Sequence, residues 1–98
     1  MVIYEVNLAV DADVAEAYAE WLAPHIDEIV ALPGFVSADW WAVEEASPKR
    51  VGWCVQYHVA DRAALADYFT HHADRLRGDG LARFAGRFHA SRRVLLPR

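Results

Sequence analysis

Cysteine is almost missing from this chain: among 98 residues there is one thiol, Cys54. One thiol forms no internal disulfide and, with no second Cys at ligand spacing, supplies no cysteine-based metal site. Missing too is any apolar run near the roughly 20 residues that a bilayer-spanning helix needs, so no membrane role is expected. The N-terminus MVIYEVNLAV lacks the basic region of a signal peptide, and a cytoplasmic location is the default expectation. No nucleophile elbow, phosphate-binding loop or dinucleotide fingerprint occurs, which leaves hydrolase, nucleotide-dependent and dehydrogenase readings without support and implies no cofactor. Basic residues are absent from positions 1–48, which hold ten acidic side chains, whereas positions 49–98 hold all ten Lys and Arg against four acids. The halves thus carry about −10 and +6, for a net charge of −4. That balance, without a compact basic helix, disfavours nucleic acid as a partner and favours attraction between the two halves.

What remains is an ordinary globular composition, 55% hydrophobic and 24% charged, at the length of one domain spanning residues 1–98. The stretch Val51 to Ala60, VGWCVQYHVA, alternates as a strand does. Val51, Trp53, Val55, Tyr57 and Val59 point one way and Gly52, Cys54, Gln56 and His58 the other. Met1 to Val10 reads as a first strand, with Tyr4, Val6, Leu8 and Val10 opposite Ile3, Glu5, Asn7 and Ala9. Asp13 and Glu16 resemble a capping box for a helix to about Leu32. Pro24 within it is expected to kink that helix near Glu20 to Ala23 or to split it. Phe35 to Glu45 is a second strand, joined to the third by a hairpin loop from Ala46 to Arg50. Asp61 caps a second helix, Arg62 to about Arg77, which Gly78-Asp79-Gly80 is expected to end; Leu81 to Gly86 then makes a helical turn. Phe88 to Leu96 is a last strand.

The order βαββαβ is that of the ferredoxin-like α+β sandwich, with a four-stranded antiparallel sheet, both helices on one face, and the first and third strands central. Trp40 and Trp41 are neighbours on a strand, so one of them projects from the helix-free face. Leaving an indole of ~200 Å² in water forgoes about 5 kcal/mol. A second copy covering that face, as in a dimeric α/β barrel, is the expected solution, and the partner is therefore a homodimer mate.

The segments Ile3-Tyr4-Glu5-Val6, His25-Ile26, Pro33-Gly34-Phe35, Val55-Gln56-Tyr57, Arg75-Leu76-Arg77, Gly80 to Phe84 and Gly86-Arg87-Phe88 carry a resemblance across nearly the whole chain. In them the chain resembles a bacterial family known only as a domain of unknown function, within the dimeric α/β-barrel superfamily. The resemblance implies the fold and the dimer. The wider superfamily includes cofactor-free monooxygenases, haem-degrading enzymes and ligand-binding regulators. Similarity to haem-degrading members would lay Asn7, Tyr68 and His71 or His72 on their Asn, helix aromatic and His, although Tyr68 stands where those members usually carry Trp.

From the residues themselves, two candidate sites emerge. His25 and His72 lie on the apolar stripes of the two helices, where they could meet as an acid–base pair, although an isolated His on such a stripe is usually a satisfied core residue. No metal-binding His spacing accompanies them. On the helix-free face, Glu5, Asn7, Asp39, Gln56, His58, His89, Ser91 and Arg93 form a polar set, with Arg93 expected to pair with Glu5 or Asp39. That set either joins subunits or lines a small-molecule cavity. Arg75, Arg77, Arg83 and Arg87 around the Gly-rich turn either clamp an anion or pair with the acidic half. The candidate ligand-binding residues are therefore His25, His72, Tyr68, Asn7, Gln56, His58 and Arg93. The leading expectation is a homodimer binding a small polar or aromatic molecule between sheet and helices. The alternatives are a cofactor-free or haem-binding monooxygenase-like enzyme, or a non-catalytic interaction module.

Overall fold

Alternation of apolar and polar residues dictates the first element, β1 (Val2–Asp11), which buries Tyr4, Leu8 and Val10 on one side and carries Glu5, Asn7 and Ala9 on the other. The computed structural model of the protein describes residues 1–45 and 47–98, so that Ala46, the first residue of the expected hairpin loop, lies outside the described residues. A 3₁₀ turn, Ala12–Val14, leads into α1 (Ala15–Val30). The expected Asp13–Glu16 capping box does not form, because the Asp13 carboxylate is taken by Arg87, 2.5 Å away. Tyr18, Leu22, Ile26 and Ile29 make the buried stripe of α1 at spacings of four, four and three, as an amphipathic helix requires. Pro24 does not split α1. It sits on the exposed side with Glu20, where water can serve the carbonyl that the missing N–H leaves without a partner.

After the Gly34 turn come β2 (Phe35–Val43) and β3 (Arg50–Val59). Gly34 has φ +83°, and a Cβ there would lie 2.3 Å from that of Ala64, so both conformation and space demand glycine. Asp61 caps α2 (Arg62–His71) by accepting from the Ala64 N–H at 2.8 Å. Then α3 (Ala73–Phe84) and β4 (Phe88–Leu95) complete the chain. The expectation for the second helix needs correction twice. Its break falls at His72, where φ is −128°, and the helix continues through Gly78-Asp79-Gly80 to Phe84. Each glycine costs an exposed helix about 1 kcal/mol relative to Ala. Here burial of Leu76 and Phe84 on either side outweighs that cost, and Gly80 is itself buried under Trp21.

The sheet is antiparallel with order β2-β3-β1-β4, so the first and third strands are central. Register places Glu5 opposite both Gln56 and Arg93, and Asn7 opposite Cys54 and Ser91. A bulge at Val36 sets Trp40 opposite Val55 and Trp41 opposite Cys54. Trp40 therefore lies on the helix side, edge-on to Trp53 with centroids 5.4 Å apart. Trp41 projects from the helix-free face and is 57% exposed. The core fills the space between sheet and helices with Tyr4, Val55, Val59, Leu65 and Leu76 at its centre. The charge asymmetry is met in part within the chain: Glu28 pairs with Arg75, Asp11 and Asp13 with Arg87, and Glu5 with Arg93.

Candidate functional site

The helix-side core is not completely filled. Between β1, β3, β4 and the three helices lies a narrow cavity with about 40 Å³ open to the centre of a water molecule, enough space for ordered water rather than for a ring. Its wall is unusually polar for a core of this size: Tyr18, Tyr57 and Tyr68, with His25, Arg77 and Arg92, share it with aliphatic side chains. Helical spacing puts Tyr18, Trp21 and His25 on one face of α1. Tyr68 comes from α2, Arg77 from α3, Tyr57 from β3 and Arg92 from the helix side of β4. A second groove of about 270 Å³ runs outside it along α3 and β4, sharing Arg77, Phe88 and Arg92 with the cavity and adding Leu81, His89 and Ala90.

Burial sets the protonation states here. Removal from water pushes the Tyr18 phenol up to about 12, against a smaller pull from Arg92. Burial, reinforced by neighbouring tyrosines, raises Tyr57 further still, and burial raises Tyr68 as well. All three are neutral hydroxyl donors at pH 7. Burial drives His25 the other way, below the usual imidazole value, with Glu28 and Asp79 offsetting part of the shift. The neutral ring stacks on Trp21 at 4.4 Å and keeps one nitrogen able to accept a proton. Arg77 Nη2 donates to the Tyr4 hydroxyl at 3.1 Å, and its guanidinium carbon lies 5.9 Å from the centre of the Phe69 ring. Its buried Nε has no hydrogen-bond partner among the described residues.

On the other side of the sheet the polar set is a closed network. Glu5, 3% exposed, accepts from Gln56 at 2.9 Å, from Asn7 at 3.0 Å and from Arg93. The Arg93 bond first, then those of Gln56 and Asn7, hold its carboxyl down at about 2 despite the opposing effect of burial. Asp39 pairs with His58 at 2.8 Å rather than with Arg93. Burial, then the nearby Glu5 carboxylate, pushes the Cys54 thiol up, which makes it inert rather than nucleophilic.

The seven candidates thus divide. His25 and Tyr68 line the helix-side cavity. Asn7, Gln56 and Arg93 gather on Glu5 and His58 on Asp39, all on the helix-free face. His72 sits at the α2–α3 break, half-buried and outside the cavity wall, so the two helix histidines do not meet there. Asn7 and Tyr68 fall on opposite sides of the sheet, which separates the residues laid on the haem-degrading pattern. Among the described residues no group of three His, Cys, Asp or Glu is placed to hold a metal. Sequence reasoning missed Arg77 and Arg92 as cavity residues. Arg77 was assigned to the edge of a helix ending at residue 77, and only the continuation of α3 turns it toward Tyr4. Arg92 carried a signal, since it shares the inward parity of Phe88, Ala90 and Val94.

Comparison with solved structures shows the same fold in proteins of unlike roles. A mutant of SnoaB, a cofactor-independent oxygenase from Streptomyces nogalater, is similar with a TM-score of 0.70 at 12% identity, over 99% of this chain and 93% of that one. An EthD family protein from Bacillus halodurans gives 0.66 at 18%, over the full length of both. The de novo designed protein Foldit4 gives 0.64 at 9%, over 99% of this chain and 100% of that one. Likeness to a designed protein makes plain that backbone similarity here speaks for the fold and not for an activity. Curated protein sequences include no match. The architecture is that of the dimeric α/β barrels, and the family model named Domain of unknown function (DUF4286) matches residues 1–97. With that match spanning every element from β1 through β4, the chain belongs to the DUF4286 family.

Proposed function

We propose that the protein acts as a homodimer binding a small polar or aromatic molecule between its sheet and its helices, with the polar end at the narrow cavity and any ring in the adjoining groove between α3 and β4. The observation that carries this reading is the wall of the helix-side cavity. Four phenols, an imidazole and two guanidiniums converge there from all three helices and three strands, and Arg77 Nε lacks a partner among the described residues. A core built only for stability avoids such groups, since each unsatisfied buried donor costs about 1–3 kcal/mol. The helix-free face supports the dimer. Trp41 and Val43 are exposed beside a network already satisfied within one chain, so an apolar patch with a polar rim is offered to a second copy.

A thermal-shift screen of small aromatic and polar compounds tests the ligand. The expected result is a set of compounds that raise the melting temperature by a few degrees, with the effect lost in a Tyr68→Phe, His25→Leu double variant. Equal stabilisation of that variant would place the binding elsewhere and refute the reading.

One observation favours a catalytic version, cofactor-free oxygenation. His25 is held neutral beside Trp21 in the cavity wall, where it can take a proton from an acidic group that enters the cavity while the substrate's ring stays in the outer groove, and leave an anion able to pass an electron to O₂. SnoaB, of similar fold, is a cofactor-independent oxygenase. Oxygen-electrode traces with hydroxylated aromatics test it: consumption that disappears in His25→Gln supports this version, and consumption indifferent to that change contradicts it.

A further inference from the structure

The ionised side chains that line this cavity are of one sign, the carboxylates of Glu28, Asp74 and Asp79 acting only from outside its wall. Arg77 and Arg92 line both the inner cavity and the outer α3–β4 groove, and no carboxylate lines either space among the described residues. Arg75 pairs with Glu28, Arg87 with Asp11 and Asp13, and Arg93 with Glu5, while Arg50, Arg62 and Arg83 stand exposed to water, away from the cavity wall. Arg77 and Arg92 have no ion pair among the described residues. Asp74, one turn before Arg77 on α3, is exposed and makes no ion pair with it. In a chain of net charge −4, two cations left without an anion at the mouth of a cavity mark the place where a ligand's charge belongs.

The shape of the space divides the ligand. The inner cavity, at about 40 Å³, does not admit a ring, whereas the outer groove of about 270 Å³ is bounded by Leu81, Phe88 and Ala90, with Leu81 56% exposed and His89 the one further polar side chain beside the arginines. An acid group at the shared wall and an apolar body along the groove fit this arrangement, and the reverse orientation does not. Arg77 is already oriented by its bond to Tyr4 and its stacking against Phe69, so its Nε–H is held ready rather than mobile.

We propose that the ligand of this site is a carboxylic acid bound as its anion, with the carboxylate on Arg77 and Arg92 and the apolar body against Leu81, Phe88 and Ala90. The proposal rests on the helix-side cavity being a ligand site and names the class of molecule that site takes.

Benzoate and its neutral isostere benzamide are the probes, titrated into the native protein while the ¹⁵N–¹H resonance of Arg77 Nε and the ring resonances of Trp21 and Tyr68 are followed by NMR. Benzoate is expected to shift the Arg77 Nε–H and to bind about tenfold or more tightly than benzamide. Arg77→Gln removes that preference. Arg92→Gln, an exposed position whose change leaves the core intact, weakens benzoate severalfold and benzamide not at all. Equal binding of the two probes, with shifts at Trp21 and Tyr68, would overturn the carboxylate assignment while leaving the cavity as a ligand site. No response of the Trp21 and Tyr68 resonances to either probe at tens of millimolar would overturn both.

Discussion

Glu5 and Arg93 pair across the β1–β4 register on the side of the sheet that carries no helix. Gln56 from β3 and Asn7 from β1 complete the shell around the same carboxylate. Three donors from three strands converge on one acid, so the interaction fixes register as well as charge. Because the folded carboxyl sits at about 2 against an ordinary 4.5, its stabilising contribution is complete above about pH 4.5 and is lost as the pH falls toward 2. Glu5→Gln is expected to cost about 2 kcal/mol at pH 7, measured by urea unfolding. The gap between variant and native protein narrows steadily from pH 4.5 to pH 2. A gap that stayed constant over that window would show that the charge of Glu5 is irrelevant to the fold.

The two glycines of α3 predict opposite outcomes. A Cβ on Gly78 meets nothing within 4 Å, whereas one on Gly80 lies 2.9 Å from Trp21 Cη2. Gly78→Ala should therefore stabilise the protein by about 0.5–1 kcal/mol through helix propensity alone. Gly80→Ala forfeits that gain, because the Trp21 indole is packed between His25, Tyr18 and Phe84 and has to move. It should be neutral to destabilising by about 1 kcal/mol, with a change in tryptophan emission that Gly78→Ala does not produce.

His25 gives the cavity a pH signature. Its imidazole is driven below the ordinary value by burial, so native stability is fully present above the unfolded-state pKa of about 6.5 and declines as the pH falls below it. NMR titration of the His25 ring should show a midpoint below 6.5, and His25→Phe should remove this part of the acid loss. A midpoint at or above 6.5 would mean that the ring is solvated.

Trp41 predicts the assembly. Trp41→Glu places a charge on the helix-free face without touching the core, since the native indole is more than half exposed. Sedimentation velocity should show the native chain at the mass of two copies and the variant at the mass of one, with the variant's circular dichroism spectrum unchanged. A native protein that sediments as a monomer at micromolar concentration would contradict the dimer.

Much of this fold was readable in the residues because its signals are local. Strict alternation in Val51 to Val59 and in Val2 to Val10 fixed which side chains share a face, and the observed register keeps every one of those assignments. The Trp40-Trp41 pair said that one indole leaves the helix side, and Trp41 does. The errors fall where distant contacts override local preference. Gly78-Asp79-Gly80 reads as a helix stop until Trp21, from α1, is seen packed on Gly80. Asp13 reads as a helix cap until Arg87, 74 positions later, takes its carboxylate. The site suffered most, since it is assembled from six separate elements and its key cation, Arg77, acquires its role only from where α3 continues.

The proposed ligand site is tested most directly by crystals of the protein soaked with a library of small aromatic fragments. Density for bound fragments between sheet and helices, in contact with Arg77 and with Tyr68 or His25, is the predicted result. Fragments found only on the helix-free face around Trp41, with the helix-side space closed or holding water alone, would contradict it.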